Sequence, residues 1–427
     1  MNEASARPRR PAVAVVGAGI SGLTAAYLLR SVYDVTVLEA EERVGGHAHT
    51  HDVRAADGRV LHIDSGFIVH NDRTYPHLRR LFRDLDVPTQ RAEMSMSISC
   101  ESCGLSYAGG RGAGGIVAQP RRLADRRFVR MLAEVPRFHR AARALLLRDS
   151  PDDPTWGEFL QRHAFSDYFV HHFALPLVSC VWSSGDVGSA AYPARHLLRF
   201  LDRHGMLTVT GSPTWRTVTG GSVVYVERLL DRLRPVRRGN PVTAVERHED
   251  GVDVRTADGT LGSFDRCVIA THADQALELL ADATPEEKAS LAAIPYSVNE
   301  VWLHRDSSLL PTVPRARASW NYRMRSCSEP APKVAVSYWM NRLQDLEDEV
   351  DHIVTLNPTG LVDPTTVTAR MTYEHPVFTH DAVAAADHLR TAGGARLAFA
   401  GAHLGWGFHE DGCRSGVDAA ERFGVRW

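Results

Sequence analysis

A glycine-rich segment near the amino terminus has the residue types and the spacing that bind phosphate groups. The apolar run Ala12–Val16 leads into Gly17-x-Gly19-x-x-Gly22, and a stretch of small, helix-forming residues follows. Such a turn brings the backbone close to a pyrophosphate and directs the free N–H groups of a helix N-terminus at it. A second apolar strand ends in Glu39, twenty residues past Gly19, where a carboxylate can accept both ribose hydroxyls. The segment therefore predicts a binding site for an adenine dinucleotide.

The composition is that of an ordinary globular protein with a large core. Of the 427 residues, 44% are hydrophobic and 23% are charged, and the formal net charge is -2. This length predicts two or three domains, and the near-zero charge argues against a nucleic-acid partner. The apolar segment Ala12–Leu29 contains the glycine motif, which argues against a signal peptide, and no other stretch is long enough to cross a bilayer. We expect a soluble, cytoplasmic protein.

The cysteines and histidines do not form a recognisable metal-binding pattern. The six cysteines are scattered along the chain, which is typical of a reducing compartment. Cys100 and Cys103 form a lone Cys-x-x-Cys pair between two strand-like pieces, and we interpret them as part of a hairpin turn. No histidine stands at a spacing from a second ligand that is typical of zinc. The sequence therefore predicts no metal site.

The periodicity of apolar residues predicts the order of helices and strands. Helices are expected at residues 75–85, 223–233 and 415–423, and residues 120–211 have mainly helical character. Strands are expected at residues 12–16, 241–247, 252–256, 266–271, 298–303, 319–324, 334–340, 353–356 and 396–401.

Four sequence blocks, in this order, resemble the superfamily of flavin-containing amine oxidases, phytoene desaturases and protoporphyrinogen oxidases. The blocks are Gly17–Glu39, Arg43–Thr50 with Asp64–Phe67, Gly220–Thr271, and Gly401–Ala420, and they span nearly the whole chain. The resemblance implies an α/β fold with a Rossmann-type, glutathione-reductase-like FAD-binding domain and an inserted α+β substrate domain. The first domain is expected at residues 11–75, 212–292 and 393–427. The second, mostly helical and then strand-rich, is expected at residues 76–211 and 293–392.

The same resemblance implies which residues bind the cofactor, FAD. No cysteine stands at the position that is used for covalent attachment, so we expect non-covalent FAD. The amino-terminal residues of the set should contact the pyrophosphate and the adenosine ribose, and the carboxyl-terminal ones the ribityl chain and the pyrimidine side of the flavin. The expected cofactor-binding residues are Gly17, Gly19, Ile20, Ser21, Gly22, Glu39, Ala40, Arg43, Gly45, Gly46, His47, Gly66, Phe67, Val242, Thr271, Gly401, Glu410, Gly412 and Cys413.

The sequence departs from amine oxidases at several of these positions. His47 follows a glycine pair where the family often has arginine, and Phe408 replaces a tyrosine of the aromatic cage. Many amine oxidases keep a lysine that holds a water at the flavin N5 atom, and the predicted strand that should carry it has none. Lys333 is close in sequence to that strand and is left as an alternative source of the lysine. These departures argue against an amine oxidase activity and do not affect the expected binding of FAD.

A closer resemblance is to a bacterial subgroup of flavoproteins that are associated with enzymes similar to cyclopropane fatty-acid synthases. It rests on Asp64–Asn71, Trp182-Ser-Ser, Met340–Gln344 and Gly405–Asp411. The association implies a lipid-chain substrate. We expect hydride transfer between FAD and a hydrophobic substrate, with an unsaturated or modified acyl chain as the first substrate class and an amine as the second. Two alternatives remain: a redox-neutral, FAD-dependent double-bond isomerase, and a lipid- or partner-docking module with a structural FAD.

The catalytic residues are expected in a dry, apolar cavity beside the flavin. Imidazole titrates near neutrality, which makes histidines candidates for acid–base chemistry, and aromatic residues could form the walls. The catalytic candidates are His409, Trp406, Phe408, His70 and Tyr338. Asp64 is expected to anchor a loop through hydrogen bonds rather than to act as a base.

The segment Arg121–Arg148 is strongly basic. It contains nine arginines against Asp125 and Glu134, which gives nine minus two, or +7, and apolar residues are interleaved. Such a segment forms either a solvated helix face or a basic surface that docks anionic lipid headgroups or a phosphate-bearing carrier. The second alternative predicts a peripheral membrane contact. The oligomeric state is left open.

Overall fold

The structure is a computed structural model that describes residues 9–148, 152–183, 185–208, 211–233, 235–328 and 333–427. Ser184, the last residue of the Trp182-Ser-Ser motif, lies outside the described residues. Among the helices that these ranges contain, none is long and apolar enough to cross a membrane.

The strands, in chain order, are β1 (Ala12–Val16), β2 (Asp34–Leu38), β3 (Thr50–Arg54), β4 (Val60–Asp64), β5 (His70–Asn71), β6 (Thr89–Arg91), β7 (Met96–Cys100), β8 (Ser106–Gly109), β9 (Trp215–Val218), β10 (Val236–Arg237), β11 (Val242–Arg247), β12 (Val252–Thr256), β13 (Leu261–Phe264), β14 (Arg266–Ile269), β15 (Tyr296–His304), β16 (Trp320–Met324), β17 (Val336–Trp339), β18 (Ile353–Leu356), β19 (Val367–Pro376) and β20 (Leu397–Phe399).

The helices are α1 (Ile20–Leu29), α2 (Pro76–Asp84), α3 (Gly112–Ile116), α4 (Arg126–Leu147), α5 (Trp156–Arg162), α6 (Asp167–Phe169), α7 (Leu175–Trp182), α8 (Asp186–Ala190), α9 (Ala194–Arg203), α10 (Val223–Leu230), α11 (Ala273–Leu279), α12 (Pro285–Ala292), α13 (Met340–Leu343), α14 (His380–Leu389) and α15 (His409–Arg422). A π-helical turn at Val170–Ala174 joins α6 to α7.

The glycine motif follows the central strand of a five-stranded parallel sheet with the order β10-β2-β1-β14-β20. Successive side chains of a strand point to opposite faces, and β1 is apolar on both of its faces. Val13 and Val15 pack in one core with residues of α1 and α15. Ala14 and Val16 pack in another core with the antiparallel strands β11, β12 and β13 and with α14. The sheet is therefore covered on both faces, as parallel sheets require.

The second large sheet has seven strands in the order β19-β15-β18-β17-β16-β7-β8. The pairing of β16 with β7 is parallel and the other pairings are antiparallel. A large core, which includes Phe128, Phe138 and Trp156, joins this sheet to helices of the segment that was expected to be helical. Strand β19 (Val367–Pro376) is absent from the strands that the sequence predicts.

The two sheets draw on different segments of the chain. All strands of the parallel sheet lie in the segments predicted for the FAD-binding domain, and all strands of the seven-stranded sheet lie in those predicted for the substrate domain. Helix α2 contributes Leu78 and Leu81 to the same core as α1, and β6 pairs with β9. The division into domains stays a prediction, and these contacts favour a first boundary after Arg91 rather than after residue 75.

The Cys-x-x-Cys pair lies in the hairpin between β7 and β8, as predicted. The sequence predicts no metal site, but the structure brings two further potential ligands to this pair. His172 and Cys327 lie beside Cys100 and Cys103, and the potential ligand atoms of the four residues are all within 4.8 Å of one another. The two added residues are far away in sequence, and therefore no spacing pattern reveals the cluster.

Asp64, at the end of β4, links three separate segments. Its carboxylate accepts hydrogen bonds from Thr50 Oγ1 at 2.6 Å and from the Ser222 N–H and Oγ at 2.9 and 2.7 Å. Gln344 donates to the same carboxylate at 3.1 Å and accepts from the Asp64 N–H at 2.9 Å. Burial raises the pKa of Asp64 to about 6. The prediction that Asp64 anchors a loop through hydrogen bonds is confirmed.

We expect Asp64→Asn to lower the free energy of unfolding by about 2 kcal/mol, because its amide NH2 group would face hydroxyl and N–H donors and leave a buried donor unpaired. Asp52→Asn is the control: this carboxylate lies on β3, pairs with His62 at the surface, and should change stability by less than about 0.5 kcal/mol. Urea denaturation followed by tryptophan fluorescence measures both variants. Equal stability of Asp64→Asn and the wild type would contradict the anchoring role.

Candidate active site

A large cavity, about 850 Å³ in volume, opens at the carboxyl end of the parallel sheet. Residues that follow β1, β2, β14 and β20 line one end of it, which we name the nucleotide end. Residues of α7, α9 and the strands β15 to β18 line the other end, which we name the inner end. Open α/β sheets bind their ligands at the carboxyl ends of the strands, and this cavity lies at that edge.

Most of the residues that were predicted to bind the cofactor lie on this cavity. Those that line it are Gly17, Gly19, Ile20, Ser21, Glu39, Ala40, Arg43, Gly46, His47, Gly66, Phe67, Val242, Thr271 and Gly401. Those that do not are Gly22, Gly45, Glu410, Gly412 and Cys413.

The three glycines of the motif have three different surroundings. A Cβ on Gly17, which has φ +99°, would lie 2.7 Å from the Ala270 carbonyl oxygen, and a Cβ on Gly22 would lie 1.9 Å from the Gly17 carbonyl oxygen. A Cβ on Gly19 would meet no atom within 4 Å, and the residue lines the cavity. Gly17 and Gly22 therefore allow the turn and the packing of α1, whereas Gly19 leaves the backbone open to a ligand.

A second glycine pair lies against this turn. The Gly45 N–H donates to the Ala18 carbonyl oxygen at 2.9 Å, and a Cβ on Gly46 would lie 3.3 Å from the Gly19 Cα. The Glu39 carboxylate accepts from the Ala18 N–H at 2.7 Å and stands beside the turn on the cavity wall. Backbone N–H groups, an open glycine and a carboxylate at one edge are the groups that hold a pyrophosphate and a ribose, and FAD fits this end.

Glu410 has a structural role at the start of a neighbouring helix. Its carboxylate accepts from the backbone N–H groups of His77 and Leu78 at 3.1 and 3.0 Å, in the first turn of α2. A carboxylate at a helix N-terminus stabilises the free N–H groups there. The carboxylate is therefore engaged by α2, and Glu410 does not line the cavity.

Gly412 and Cys413 serve the contact between two helices. A Cβ on Gly412 would lie 2.7 Å from Ile20 Cγ2, and the buried Cys413 Sγ accepts from Thr24 Oγ1 at 3.6 Å. Both side-chain positions therefore serve the packing of α15 on α1, and neither residue lines the cavity. A Cβ on Gly45 would lie 2.8 Å from the Ala48 carbonyl oxygen, so its small size serves a backbone contact as well.

The inner end of the cavity is formed by aromatic and aliphatic side chains. Phe408 stacks on Phe200, with ring centroids 4.6 Å apart, and the Trp406 indole N–H donates to the His196 carbonyl oxygen at 3.0 Å. Burial raises the pKa of Tyr338 above its ordinary value and keeps the phenol protonated. The apolar and aromatic residues that line this end are Ile68, Val69, Met94, Cys180, Val181, Trp182, Phe200, Met206, Trp215, Val301, Trp320, Tyr338, Leu356, Trp406 and Phe408.

The structure does not place His70, a predicted catalytic residue, on the cavity wall. His70 is buried in β5, does not line the cavity, and directs its ring at Phe82, with centroids 5.3 Å apart. Burial lowers the pKa of His70 to about 4. It is therefore a neutral core residue, and a catalytic role for it stays a prediction.

His409, by contrast, lies on the cavity at the start of α15. Its ring stacks on Phe67, with centroids 3.9 Å apart and an interplanar angle of 5°, and Nε2 lies 2.8 Å from the Tyr225 hydroxyl oxygen. Burial lowers the pKa of His409 to about 3. The imidazole is therefore neutral at neutral pH, and it can donate or accept a hydrogen bond without carrying charge.

Three histidines that the sequence analysis did not single out join His47 on the wall. His375 and His272 lie 5.5 and 6.3 Å from the His47 ring, and His403 lines the same region. Burial lowers the pKa of His375 to about 4 and that of His403 to about 3. Burial also lowers the pKa of His47, whose Nε2 has no hydrogen-bond partner among the described residues. This buried, unpartnered nitrogen marks a place for a polar ligand group.

Two signals in the sequence could have revealed these histidines. His272 and His403 closely follow β14 and β20, neighbouring parallel strands whose carboxyl ends meet at the cavity. His375 belongs to β19, where less polar residues at positions 367, 369, 371 and 373 alternate with Thr, Arg, Thr and Glu, a pattern typical of a half-buried strand.

We expect Gly19→Ala to fold as stably as the wild type and to raise the dissociation constant for FAD by about tenfold or more, because the added methyl group projects where the pyrophosphate must approach. Gly22→Ala is the matched contrast. Its methyl group would push α1 from the turn and lower the stability of the apoprotein by about 2 kcal/mol. Urea denaturation of the apoproteins and fluorescence titration with FAD separate the two effects. Wild-type FAD affinity in Gly19→Ala would contradict this placement.

We expect the free energy of unfolding to fall as the pH is lowered from 6.5 to 4. Buried histidines with a pKa lowered to about 4, such as His204, His304 and His375, stay neutral in the folded chain and become protonated in the unfolded one. Each of these histidines therefore lowers the free energy of unfolding by about 1.4 kcal/mol for every pH unit in this window. Asp64 and Asp411, whose pKa values are raised to about 6, act in the opposite direction but are fewer. Urea denaturation at several pH values measures the slope, and a flat profile would contradict the neutral state of these histidines.

Comparison with known proteins agrees with this geometry. The family model of flavin-containing amine oxidoreductases matches residues 20–423. The flavin-containing amine oxidase A of Canis lupus familiaris is 28% identical over 259 residues, which are 57% of this chain and 46% of that protein. The match therefore spans about half the length of that relative.

Two solved structures share the fold over nearly the whole chain. Cyclohexylamine oxidase from Brevibacterium oxydans IH-35A has a TM-score of 0.70 and 17% identity, covering 97% of this chain and 98% of its own. The CLA-producing fatty acid isomerase from P. acnes has a TM-score of 0.68 and 17% identity, covering 98% of this chain and 100% of its own. At such identity they are evidence for the fold alone.

These findings confirm the predicted α/β fold and the predicted use of FAD. The association with cyclopropane fatty-acid synthases stays a prediction. Since the family model covers the chain from α1 to the end of α15, this chain belongs to the flavin-containing amine oxidoreductase family.

Proposed function

We propose that this FAD-dependent oxidoreductase transfers a hydride between an unsaturated or modified acyl chain and non-covalently bound FAD. The observation that carries the proposal is the uncharged, aromatic lining of the inner end of the cavity. FAD supplies the hydride acceptor or donor. The residues of the chain supply an apolar channel for the substrate, exclude water and keep the site neutral.

The charged residues on the cavity are gathered away from its inner end. Glu39, Glu41 and Arg43 follow β2 at the nucleotide end, and Glu278 lies in α11. Glu374 lies on β19, and its carboxylate oxygen is 3.2 Å from Nδ1 of His272, which follows β14. Among the lining residues that the structure describes, the inner end has no carboxylate for a protonated amine. A buried cation without such a partner is costly, which favours a neutral substrate.

Two further features count against an amine. Arg203 already lies over the Trp406 ring, with its guanidinium carbon 5.0 Å from the centroid, so that face of the ring is not open to a cationic substrate. The two lysines of the chain, Lys288 and Lys333, do not line the cavity, and Lys333 is exposed. The suggested replacement of the amine oxidase lysine by Lys333 is therefore wrong. An amine remains the second substrate class.

Among the described residues of the inner end, the Trp320 side chain has a polar group without a hydrogen-bond partner. The indole N–H of Trp320 is buried without a hydrogen-bond partner among the described residues, and its ring packs edge-on against Tyr338, with centroids 5.1 Å apart. A carbonyl or carboxyl oxygen at the end of an acyl chain can accept that hydrogen bond. A buried donor in a mainly apolar wall fits a substrate with a long apolar part and a polar end.

The residues near the start of α15 support charge development on the ligand. The N-terminal end of this 14-residue helix opens on the cavity through Phe408 and His409. A helix N-terminus stabilises negative charge, and the stacking of His409 on Phe67 holds the imidazole in place. Because the neighbouring imidazoles are neutral, they can form hydrogen bonds with the ligand. They carry no positive charge that would compete with the helix N-terminus for the negative charge of the ligand.

A redox-neutral isomerisation is the second candidate reaction. It begins with removal of a hydride from an acyl chain and ends with its return at another carbon, so it requires the same apolar channel. The fatty acid isomerase from P. acnes has this fold, although 17% identity carries no more than the fold. Product analysis distinguishes the two reactions. The same assay tests the remaining alternative of a structural FAD.

The peripheral membrane contact stays a prediction, as does a cytoplasmic location. Phe128, Met131 and Phe138 of α4 are buried in the core, so the main apolar face of this helix is already used. Arg126 and Arg140 are exposed on the helix. A contact between α4 and anionic lipid headgroups would therefore rest mainly on the charge of its arginines.

We expect the methyl ester of an unsaturated fatty acid to bleach the flavin of the holoprotein without oxygen, or a conjugated ester to reoxidise the reduced flavin, and cyclohexylamine to do neither. Trp320→Phe should raise the ester concentration for half-maximal change about tenfold, since one buried hydrogen bond is lost. Trp302→Phe is the control, because that indole donates to Glu300 outside the cavity. Absorbance at the flavin band measures each titration.

Three other outcomes would overturn parts of this proposal. Bleaching by the amine alone would make the amine the substrate. A shifted double bond, detected by mass spectrometry, with no net change in flavin redox state would establish the isomerase. No response to either substrate and no product would leave the flavin with a structural role.

A further inference from the structure

A cluster of four potential metal ligands lies in the substrate region, outside the cavity. Cys100 ends β7, Cys103 lies in the following hairpin, His172 lies in the π-helical turn, and Cys327 follows β16. The Sγ atoms of Cys100 and Cys327 are 3.4 Å apart, and Cys103 Sγ is 3.6 Å from His172 Nε2. All four ligand atoms lie within 4.8 Å of one another.

The two shortest of these distances, 3.4 and 3.6 Å, are close to the edges of a tetrahedral metal site, and the 4.8 Å limit on the others requires only a small contraction around an ion. With Zn–S bonds of about 2.3 Å and Zn–N bonds of about 2.0 Å, neighbouring ligand atoms stand about 3.5–3.8 Å apart. Three cysteines and one histidine are an established ligand set for structural zinc, and thiolates select soft or borderline metals over Mg²⁺ and Ca²⁺.

The histidine is held in the tautomer that a metal requires. His172 Nδ1 lies 3.1 Å from the Tyr168 carbonyl oxygen, so Nδ1–H donates to it and the Nε2 lone pair faces Cys103. Its ring stacks on that of Tyr168, with centroids 4.1 Å apart, and Tyr107 donates to the His172 carbonyl oxygen at 2.7 Å. A backbone carbonyl in this position is the usual outer partner of a metal-bound histidine.

The surroundings suit an anionic centre that a metal can enter. Zinc with three thiolates carries a net charge of -1, and Arg122 donates to the Cys103 carbonyl oxygen while Arg127 lies over Tyr168. Cys100 and His172 are buried, whereas Cys103 and Cys327 are partly exposed. A metal ion can enter from the side of the partly exposed cysteines, and the two buried ligands hold it in a fixed position.

We propose that Cys100, Cys103, His172 and Cys327 bind one Zn²⁺ ion as a tetrahedral structural site. Four protein ligands leave no open position for substrate, so the ion has no part in the redox reaction. It joins the β7–β8 hairpin at the edge of the seven-stranded sheet to the π-helical turn and to the loop after β16. Binding deprotonates the thiols and releases their protons to solvent.

The first test measures metal and flavin in the same samples. Holoprotein expressed with zinc should contain about one zinc per chain by mass spectrometry of the metal. Cys327→Ser changes a partly exposed loop residue and should lose the zinc while it keeps the flavin. Cys267→Ala, at a buried cysteine of β14, should keep both. Zinc in Cys327→Ser at the wild-type level would overturn the proposal.

A second measurement remains decisive if a variant folds poorly. Cobalt in place of zinc should give the visible bands of a tetrahedral thiolate site at wavelengths beyond the flavin bands, and His172→Gln should weaken them. A chelator should lower the melting temperature of the wild type but not that of Cys327→Ser. Metal-free wild-type protein after growth with zinc, with either three reactive thiols or a Cys100–Cys327 disulfide in peptide mapping, would contradict the site. Flavin content in these samples reports on the proposed function separately.

Discussion

The close packing of α1 against α15 is the constraint on which the site depends. A Cβ on Gly416 would lie 2.4 Å from the Ser21 carbonyl oxygen, and one on Gly412 would clash with Ile20. Small residues at these positions let the two helices approach, and both helices then direct their N-terminal ends at the same cavity. Two partial positive charges meet where a dinucleotide carries its negative charge. The binding edge is therefore a product of helix packing as much as of the glycine turn.

The cavity combines two environments that are suited to different halves of a reaction. Its nucleotide end has free N–H groups and carboxylates that hold a polar cofactor. Its inner end is aromatic, and the nearby imidazoles of His375, His403 and His409 are kept neutral by burial. In such a low-dielectric space, a charge that develops during hydride transfer is stabilised by fixed dipoles rather than by water. Under the function proposed above, such a space favours a neutral substrate over a charged one.

Features that depend on neighbours in sequence could be predicted, and those that depend on side-chain direction or distant contacts could not. The glycine turn and Glu39 form a local motif, and their positions on the cavity follow from it. Glu410 directly follows the cavity-lining His409 in sequence, but its carboxylate accepts hydrogen bonds from the first turn of α2. His375 was missed because β19 was missed. The cluster around Cys103 joins residues that come together only when the sheet and the helices have packed.

The order of strands also bears on how the chain reaches its native state. The parallel sheet needs β20, near the end of the chain, and the seven-stranded sheet pairs β7 with β16, more than two hundred residues later. Both sheets therefore have a high contact order, which slows folding and exposes unpaired edges while synthesis continues. The dinucleotide site is complete only once β20 has been synthesised and has paired with β14. A cofactor that binds the finished site therefore binds after both sheets have formed.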